Sequence, residues 1–279
     1  MKLITGSILL VLLTQSGIAQ FYYKDLVVTG QTAGRWQAYK ENKIKAVELR
    51  AFNGDGRPTD GFTGEQEVSL DFSHITTHTK ATGTSESWLI TSYSASGNPL
   101  KTMDTSDTYR SVSDYQYDAA GRLTAITNTS IETDNQAKEV EQHLWQYDQQ
   151  GKPTTMIKIR NGNDSTLVRF IKDEKGNISE EHATRNKTDL PTVYYYYDES
   201  NRLTDIVRYN ARAQRLLPDY IFEYASVKDP ITMLVVPEGS NDYQKWLYEY
   251  NDKGLKVKEV CYNKQKELVG RVDYQYITR

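Results

Sequence analysis

Two of the chain's 4 histidines, His74 and His78, stand four residues apart. On a strand they would share a face, the start of a zinc site, but a structural zinc takes four ligands and two imidazoles fall short. The solvent-side reading of these histidines is the better one. Asp118, Asp148, Asp173 and Asp198 recur at one position of a repeated motif. They could line an edge and bind calcium, which needs six to eight oxygens. Each motif offers one carboxylate, and copies two strands apart would be roughly 10 Å from each other, too far to share an ion. A role in turn geometry accounts for them, and no metal is expected. Among 37 acids some pair must meet the spacing of a glycosidase, about 5 to 10 Å, without the sequence marking which. The single cysteine, Cys261, lies between Val260 and Tyr262 and reads as a small packed residue. No metalloprotease helix, P-loop, dinucleotide fingerprint or nucleophile elbow is present. No catalytic residue and no cofactor are therefore assigned.

Aromatic stacking is the chemistry that remains. Trp88, Tyr93, Tyr115, Tyr117, Trp145, Tyr147, Tyr195, Tyr197, Tyr248 and Tyr250 recur at matching positions and should stack in ladders across a sheet. As core, the ladders hold the sheet together. As a surface, flat rings with a polar tip suit sugar rings or a partner's apolar side chains. A glycan or an envelope protein is the partner class this implies. The net charge is −3 with no block of like sign, so nothing asks for a nucleic-acid or anionic-membrane partner.

The elements that must position these rings are hairpins. In Tyr115-Gln116-Tyr117-Asp118-Ala119-Ala120-Gly121-Arg122-Leu123 the two tyrosines share a strand face. Asp118 opens a type I turn, because its carboxylate can accept from N–H groups two residues on. Gly121 supplies the left-handed residue of a G1 bulge. This register places Tyr117 opposite Leu123 and Tyr115 opposite Ala125. The turn recurs at Tyr93–Gly97, Tyr147–Gly151, Lys172–Gly176, Tyr197–Asn201 and Tyr250–Gly254, with a degenerate copy at 222–228 and a further start at Tyr274-Gln275-Tyr276. Asn201 stands where the others have Gly, and Asn tolerates the left-handed region best. A period of about 25 residues marks a repeat architecture. Second turns at Asn161-Gly162, Asn186, Asn210 and Asn263 divide each unit into two strands. Connections this short exclude parallel crossovers. The fold class expected is all-β, an antiparallel meander of β-hairpin repeats forming a twisted, curved sheet or partial shell. A hydrophobic content of 38% with 21 Tyr fits a thin sheet better than a multilayer α/β domain.

Three segments follow. Residues 1–20 read as a signal peptide, with Lys2 ahead of the apolar run Ile8–Leu13 and a small residue at Ala19. Residues 21–66 are a lead-in and capping segment, with a strand expected at Leu26-Val27-Val28. Within it, residues 35–52 are ambiguous. Trp36, Tyr39, Lys43 and Val47 approach helical spacing, while Tyr39–Ile44 looks like a shortened turn copy, which favours a hairpin. Residues 67–279 are the β-hairpin repeat domain. No apolar run is long enough to span a bilayer as a helix.

Tyr115-x-Tyr117-Asp118-x-x-Gly121-Arg122-Leu123 closely resembles the YD repeat of bacterial Rhs-type proteins. Tyr195–Leu203, Trp145–Lys152 and Tyr248–Gly254 are further copies, and the resemblance covers roughly residues 90–279 at the level of the repeat. It implies long antiparallel sheets that can wrap into a shell around a cargo, often a toxin, and it implies carbohydrate binding or cell-surface contact. This chain has too few copies for a large shell and lacks the self-cleaving aspartyl motif. No toxin domain is expected after its last repeat strand. The expectation is a non-enzymatic exported binding module, periplasmic or secreted, of a Gram-negative bacterium. A structural or protein-interaction scaffold of the envelope is the alternative, with an envelope hydrolase third. Specific function should sit where the period breaks, at 57–66, 128–138 or 225–242.

Overall fold

The computed structural model describes residues 21–210, 213–225, 229–237 and 242–279; the expected signal peptide 1–20 and the end of the expected turn copy 222–228 lie outside them. The described residues open on one helix, α1 (Lys24–Glu41), and every later element among them is a strand. These are β1 (Ile44–Asn53), β2 (Thr63–Val68), β3 (His74–Lys80), β4 (Ser87–Tyr93), β5 (Pro99–Ser106), β6 (Tyr109–Tyr117), β7 (Leu123–Glu132), β8 (Lys138–Tyr147), β9 (Pro153–Arg160) and β10 (Asp164–Lys172). They are followed by β11 (Ile178–Arg185), β12 (Thr188–Asp189), β13 (Val193–Tyr197), β14 (Leu203–Asn210), β15 (Arg215–Glu223), β16 (Thr232–Val235), β17 (Gln244–Tyr250), β18 (Lys256–Asn263) and β19 (Leu268–Thr278).

The strands form one 19-stranded antiparallel sheet in chain order, in which β12 and β13 both pair with β11. The expected meander is therefore observed. It goes further than a partial shell, because β1 pairs with β19 from Ile44↔Thr278 to Asn53↔Gly270 and with β2 on its other side. The sheet is a closed barrel, which leaves neither terminal strand with a free edge.

Each repeat turn has the expected chemistry. Gly121 N–H donates to the Asp118 carbonyl at 2.9 Å, and the Asp118 carboxylate accepts from the N–H groups of Ala120 and Arg122. Gly97, Gly121, Gly151, Gly176 and Gly254 have φ between +70 and +88, and Asn201 takes the same region at +57. Tyr117 faces Leu123 as expected, but Tyr115 faces Ile126 and not Ala125. The cause is a second bulge between Gln116 and Tyr117, where Thr124 is the extra residue. The same slip follows every turn of the series, leaving Leu100, Thr154, Ser179, Thr204 and Val257 unpaired. Bulges bend and coil strands. Repeating one at every hairpin curves this sheet in one sense until it closes.

The lead-in differs from expectation. Leu26-Val27-Val28 is helical, and Arg35–Glu41 is the last part of α1 rather than the first arm of a hairpin. Lys43, at φ +52, ends the helix and turns the chain into β1. Local turn chemistry lost here to tertiary packing. Trp36 and Tyr39 share one helix face, and both are buried against the barrel wall, beside Tyr93 and Tyr276 respectively. At 1.5 Å per residue α1 is about 27 Å long. Its start touches β8 through Asp25, the residues just ahead of it, Phe21–Tyr23, touch β10, β11, β13 and β15, and its end touches β2, β4 and β19. It is a strut across the lumen. Two apolar clusters mark its ends, one around Phe21, Tyr22, Trp145, Phe170 and Tyr195, the other around Trp36, Tyr39, Val47, Leu49 and Tyr93.

Candidate functional site

Alternation decides where each aromatic ring points. In the run Tyr194-Tyr195-Tyr196-Tyr197, Tyr195 and Tyr197 face the lumen and Tyr194 and Tyr196 face outward. The motif rings of the other repeats follow the lumenal pair. Tyr93, Trp145 and Tyr195 are buried, and Tyr115, Tyr117, Tyr147, Tyr197 and Tyr248 are packed or hydrogen-bonded against the lumen; Tyr250 is half-buried in the same row. Of the rings singled out from sequence, only Trp88 stands mainly outside, 42% exposed.

Tyr93 stacks on Trp36, but in six of the motifs the second tyrosine does a job that sequence reasoning missed. Adjacent repeats stop pairing three residues before it, as at Ala125↔Leu144 and Glu180↔Tyr194. Its hydroxyl then reaches across the splay to a main-chain carbonyl of the preceding repeat. Tyr117 donates to Pro99 O, Tyr147 to Leu123 O, Tyr197 to Ile178 O, Tyr224 to Leu203 O, Tyr250 to Pro230 O and Tyr276 to Lys256 O, over 2.7 to 3.1 Å. Burial pushes these phenols up, Tyr147 to about 12, so they stay protonated donors. In the one motif that carries Lys in that place, Lys172 instead pairs with Asp148 of the preceding turn at 2.5 Å.

The lumen holds buried charge. Asp25 on α1 lies 2.6 Å from His143 Nδ1, and His143 Nε2 lies 3.0 Å from Glu141, which also pairs with Lys158. Burial opposes charge on His143, but the carboxylates of Asp25 and Glu141 outweigh it and raise the imidazole to about 9. Glu141, with its burial overcome by hydrogen bonds from His143 and Lys158, is held at about 2. Glu181 accepts from the N–H groups of Tyr22 and Tyr23 and from the Tyr195 hydroxyl, capping the start of the helix segment. Burial raises its pKa, yet it faces these structural partners and not an open cleft. The Cys261 thiol is buried and pushed up to about 12 by burial and by Glu259, the state of an inert packed thiol. Among the described residues no group of three or more His, Cys, Asp or Glu is placed to hold a metal ion.

A cleft of about 550 Å³ lies where β11 and β13 splay, lined by Asp173, Glu174, Lys175, Asn177, Ser179, Glu180, Asp198 and the run Tyr194–Tyr197. Tyr196 is 47% exposed, and Glu180 pairs with His182 along the same face. Asp173 and Asp198 are held low by the N–H groups and side chains of their own turns, Asp198 by Arg202 first. Neither is a raised acid suited to protonate a leaving group.

No helix among the described residues is long and apolar enough to cross a membrane. The outer face of the strands carries the pairs Glu48–Arg50, Lys101–Asp114, Glu180–His182 and Glu249–Lys258. These charges interrupt the apolar band that a membrane-spanning barrel presents to lipid.

The turn, bulge and tyrosine bridge recur across the repeats, and the RHS Repeat family profile matches residues 93–130, the stretch from Tyr93 through β7. The chain carries an RHS repeat. At the level of the repeat it resembles the Rhs/YD-repeat proteins, as the motif implied. No curated protein matches the chain. Among solved structures, the TcdB2–TccC3–Cdc42 crystal structure is 16% identical over 77% of this chain and 12% of that one, with a TM-score of 0.34. A porin-like protein from Bacteroides uniformis is 8% identical over 85% of this chain and 97% of that one, with a TM-score of 0.44. This chain thus spans about an eighth of the chain it matches in the first of these.

Proposed function

We propose that this RHS-repeat barrel is a non-enzymatic binding module of the cell envelope or its exterior, and that the β11–β13 cleft takes a glycan or other polyhydroxylated envelope polymer. One observation carries the reading. Tyr194 and Tyr196 turn outward at a cleft that Tyr195 and Tyr197 also line, and whose remaining side chains are carboxylates, an amide, a hydroxyl and one ammonium. A sugar ring offers an apolar C–H face to a phenol ring and hydroxyl donors to carboxylates. The apolar segment Ile8–Leu13 behind Lys2 supports export. A scaffold role is the second reading, favoured by exposed Ile171, Tyr209 and Leu216 on the same arc of the wall.

The test is retention of the purified barrel on immobilised cellohexaose, chitohexaose, xylohexaose and purified peptidoglycan. Retention by the wild type and its loss in the Tyr194→Ala/Tyr196→Ala variant support the glycan reading. Equal retention of the two proteins, or none by the wild type, overturns it.

A further inference from the structure

We propose that the outer wall carries a second saccharide contact at Trp88, about half-way round the barrel from the β11–β13 cleft, and that the barrel therefore bridges two polymer chains. The inference rests on the glycan reading above.

The β3–β4 register sets His78 directly beside Trp88. Their rings stack, with centroids 4.1 Å apart and planes 20° apart. His78 is itself held through Nε2, with a second carboxylate near Nδ1. Nε2 lies 2.5 Å from Glu86 and Nδ1 lies 3.7 Å from Glu65. The imidazole covers one indole face, on the β3 side, and the indole is still 42% exposed. The indole belongs to neither core cluster. A cross-strand aromatic pair stabilises a sheet by roughly 0.2–1 kcal/mol, but that does not require an open indole face.

The arrangement is a preorganised platform. Its ring is held flat before any ligand arrives, which lowers the ordering cost of binding. Glu65 and Glu86 remain partly exposed beside it, with side chains 58% and 40% accessible. A flat indole edged by carboxylate acceptors suits a pyranose ring, with C–H groups on the indole and hydroxyls donating to the acids.

Position supplies the bridging. β4 and β13 are separated by about half the ring in either direction. Trp88 also starts β4, away from the Ser94–Gly97 turn, whereas the cleft is bounded by the turns at Asp173 and Asp198. One short oligosaccharide cannot reach both. Two sites facing opposite ways engage separate strands, and avidity for a polymer then exceeds affinity for a fragment.

Calorimetry with chitohexaose, cellohexaose and xylohexaose, and agglutination of purified peptidoglycan sacculi, test this. The wild type should bind two equivalents of at least one oligosaccharide and agglutinate sacculi. Trp88→Ala should bind one equivalent and lose agglutination while still melting cooperatively, at most about 2–4 °C lower, and Trp88→Phe should restore the second site. Tyr194→Ala/Tyr196→Ala should also leave one equivalent. Wild-type binding of a single equivalent, unchanged in Trp88→Ala, overturns the second site and leaves the cleft reading standing. If Trp88→Ala abolishes binding while the tyrosine variant binds normally, Trp88 is a contact but the bridging proposal and the cleft reading both fail. Absence of binding by the wild type removes both.

Discussion

The Tyr147 hydroxyl donates to the Leu123 carbonyl, 24 residues earlier, over 2.7 Å. This bond closes the gap left where the ladder between β7 and β8 ends at Ala125↔Leu144. Its equivalents recur round the barrel, so the tyrosine of the motif is a staple between repeats and the motif's period is the period of the staple.

Removing one staple should therefore be costly in a way that removing an outer phenol is not. Tyr147→Phe is expected to lose about 1 kcal/mol of unfolding free energy. Tyr196→Phe, on the exposed face, should stay within about 0.5 kcal/mol of wild type. Urea unfolding of the two variants measures both. Equal effects would mean that the bridge contributes nothing beyond packing.

Among the glycines of the repeat turns, Gly97 is expected to be the least replaceable. A Cβ there would lie 2.3 Å from the Trp36 ring, whereas at Gly83, with a similar positive φ, it would meet open space. Gly83→Ala should cost about 1–2 kcal/mol for the left-handed backbone alone. Gly97→Ala should cost about 1–3 kcal/mol more, because the Trp36 end of the strut must shift. Thermal melts of the pair isolate the contact, and identical losses would contradict it.

The His143 clamp predicts a pH dependence. The folded imidazole titrates at about 9, above its ordinary value of 6.5. Its contribution is then complete below about 6.5 and fades as pH rises towards 9. Glu141, held at about 2, contributes above its ordinary 4.5 and fades as pH falls towards 2. Asp25, Glu141 and Lys158 face the ring, with Tyr22 packed edge-on against it. Melting temperature followed from pH 6.5 to 9 should fall in the wild type and lose that component in His143→Asn. His143→Ala, which leaves Asp25 buried without its partner, should cost about 3–5 kcal/mol. A His143→Asn profile parallel to wild type would show that the clamp is not protonated as argued.

Much of the wall was legible from local chemistry. Asp118, Gly121 and their copies mark turns because a short carboxylate and a left-handed residue have few other uses at that spacing. Asn201 taking positive φ follows from the same rule. The outward pair Tyr194 and Tyr196 could have been found by carrying the alternation through the four-tyrosine run, since Tyr195 and Tyr197 were already assigned to the other face. The slip at Thr124 carried no sequence signal, because Thr suits a bulge and a regular strand alike. Helical spacing from Trp36 to Val47 was legible, but Tyr39–Ile44 imitates the turn of the repeat and tipped the reading of 35–52 towards a hairpin.

The sequence by itself determined the hairpins, their period and the antiparallel order, because alternation and turn chemistry act between residues a few positions apart. It did not determine which face would become the lumen, that β1 would meet β19, or that α1 would cross between the walls. Those depend on contacts such as Arg50↔Asp273 and Tyr22 with Glu181, made between distant parts of the chain. Only when the ring closes does one face gain a helix to pack against, and the rings left on the other face become the surface.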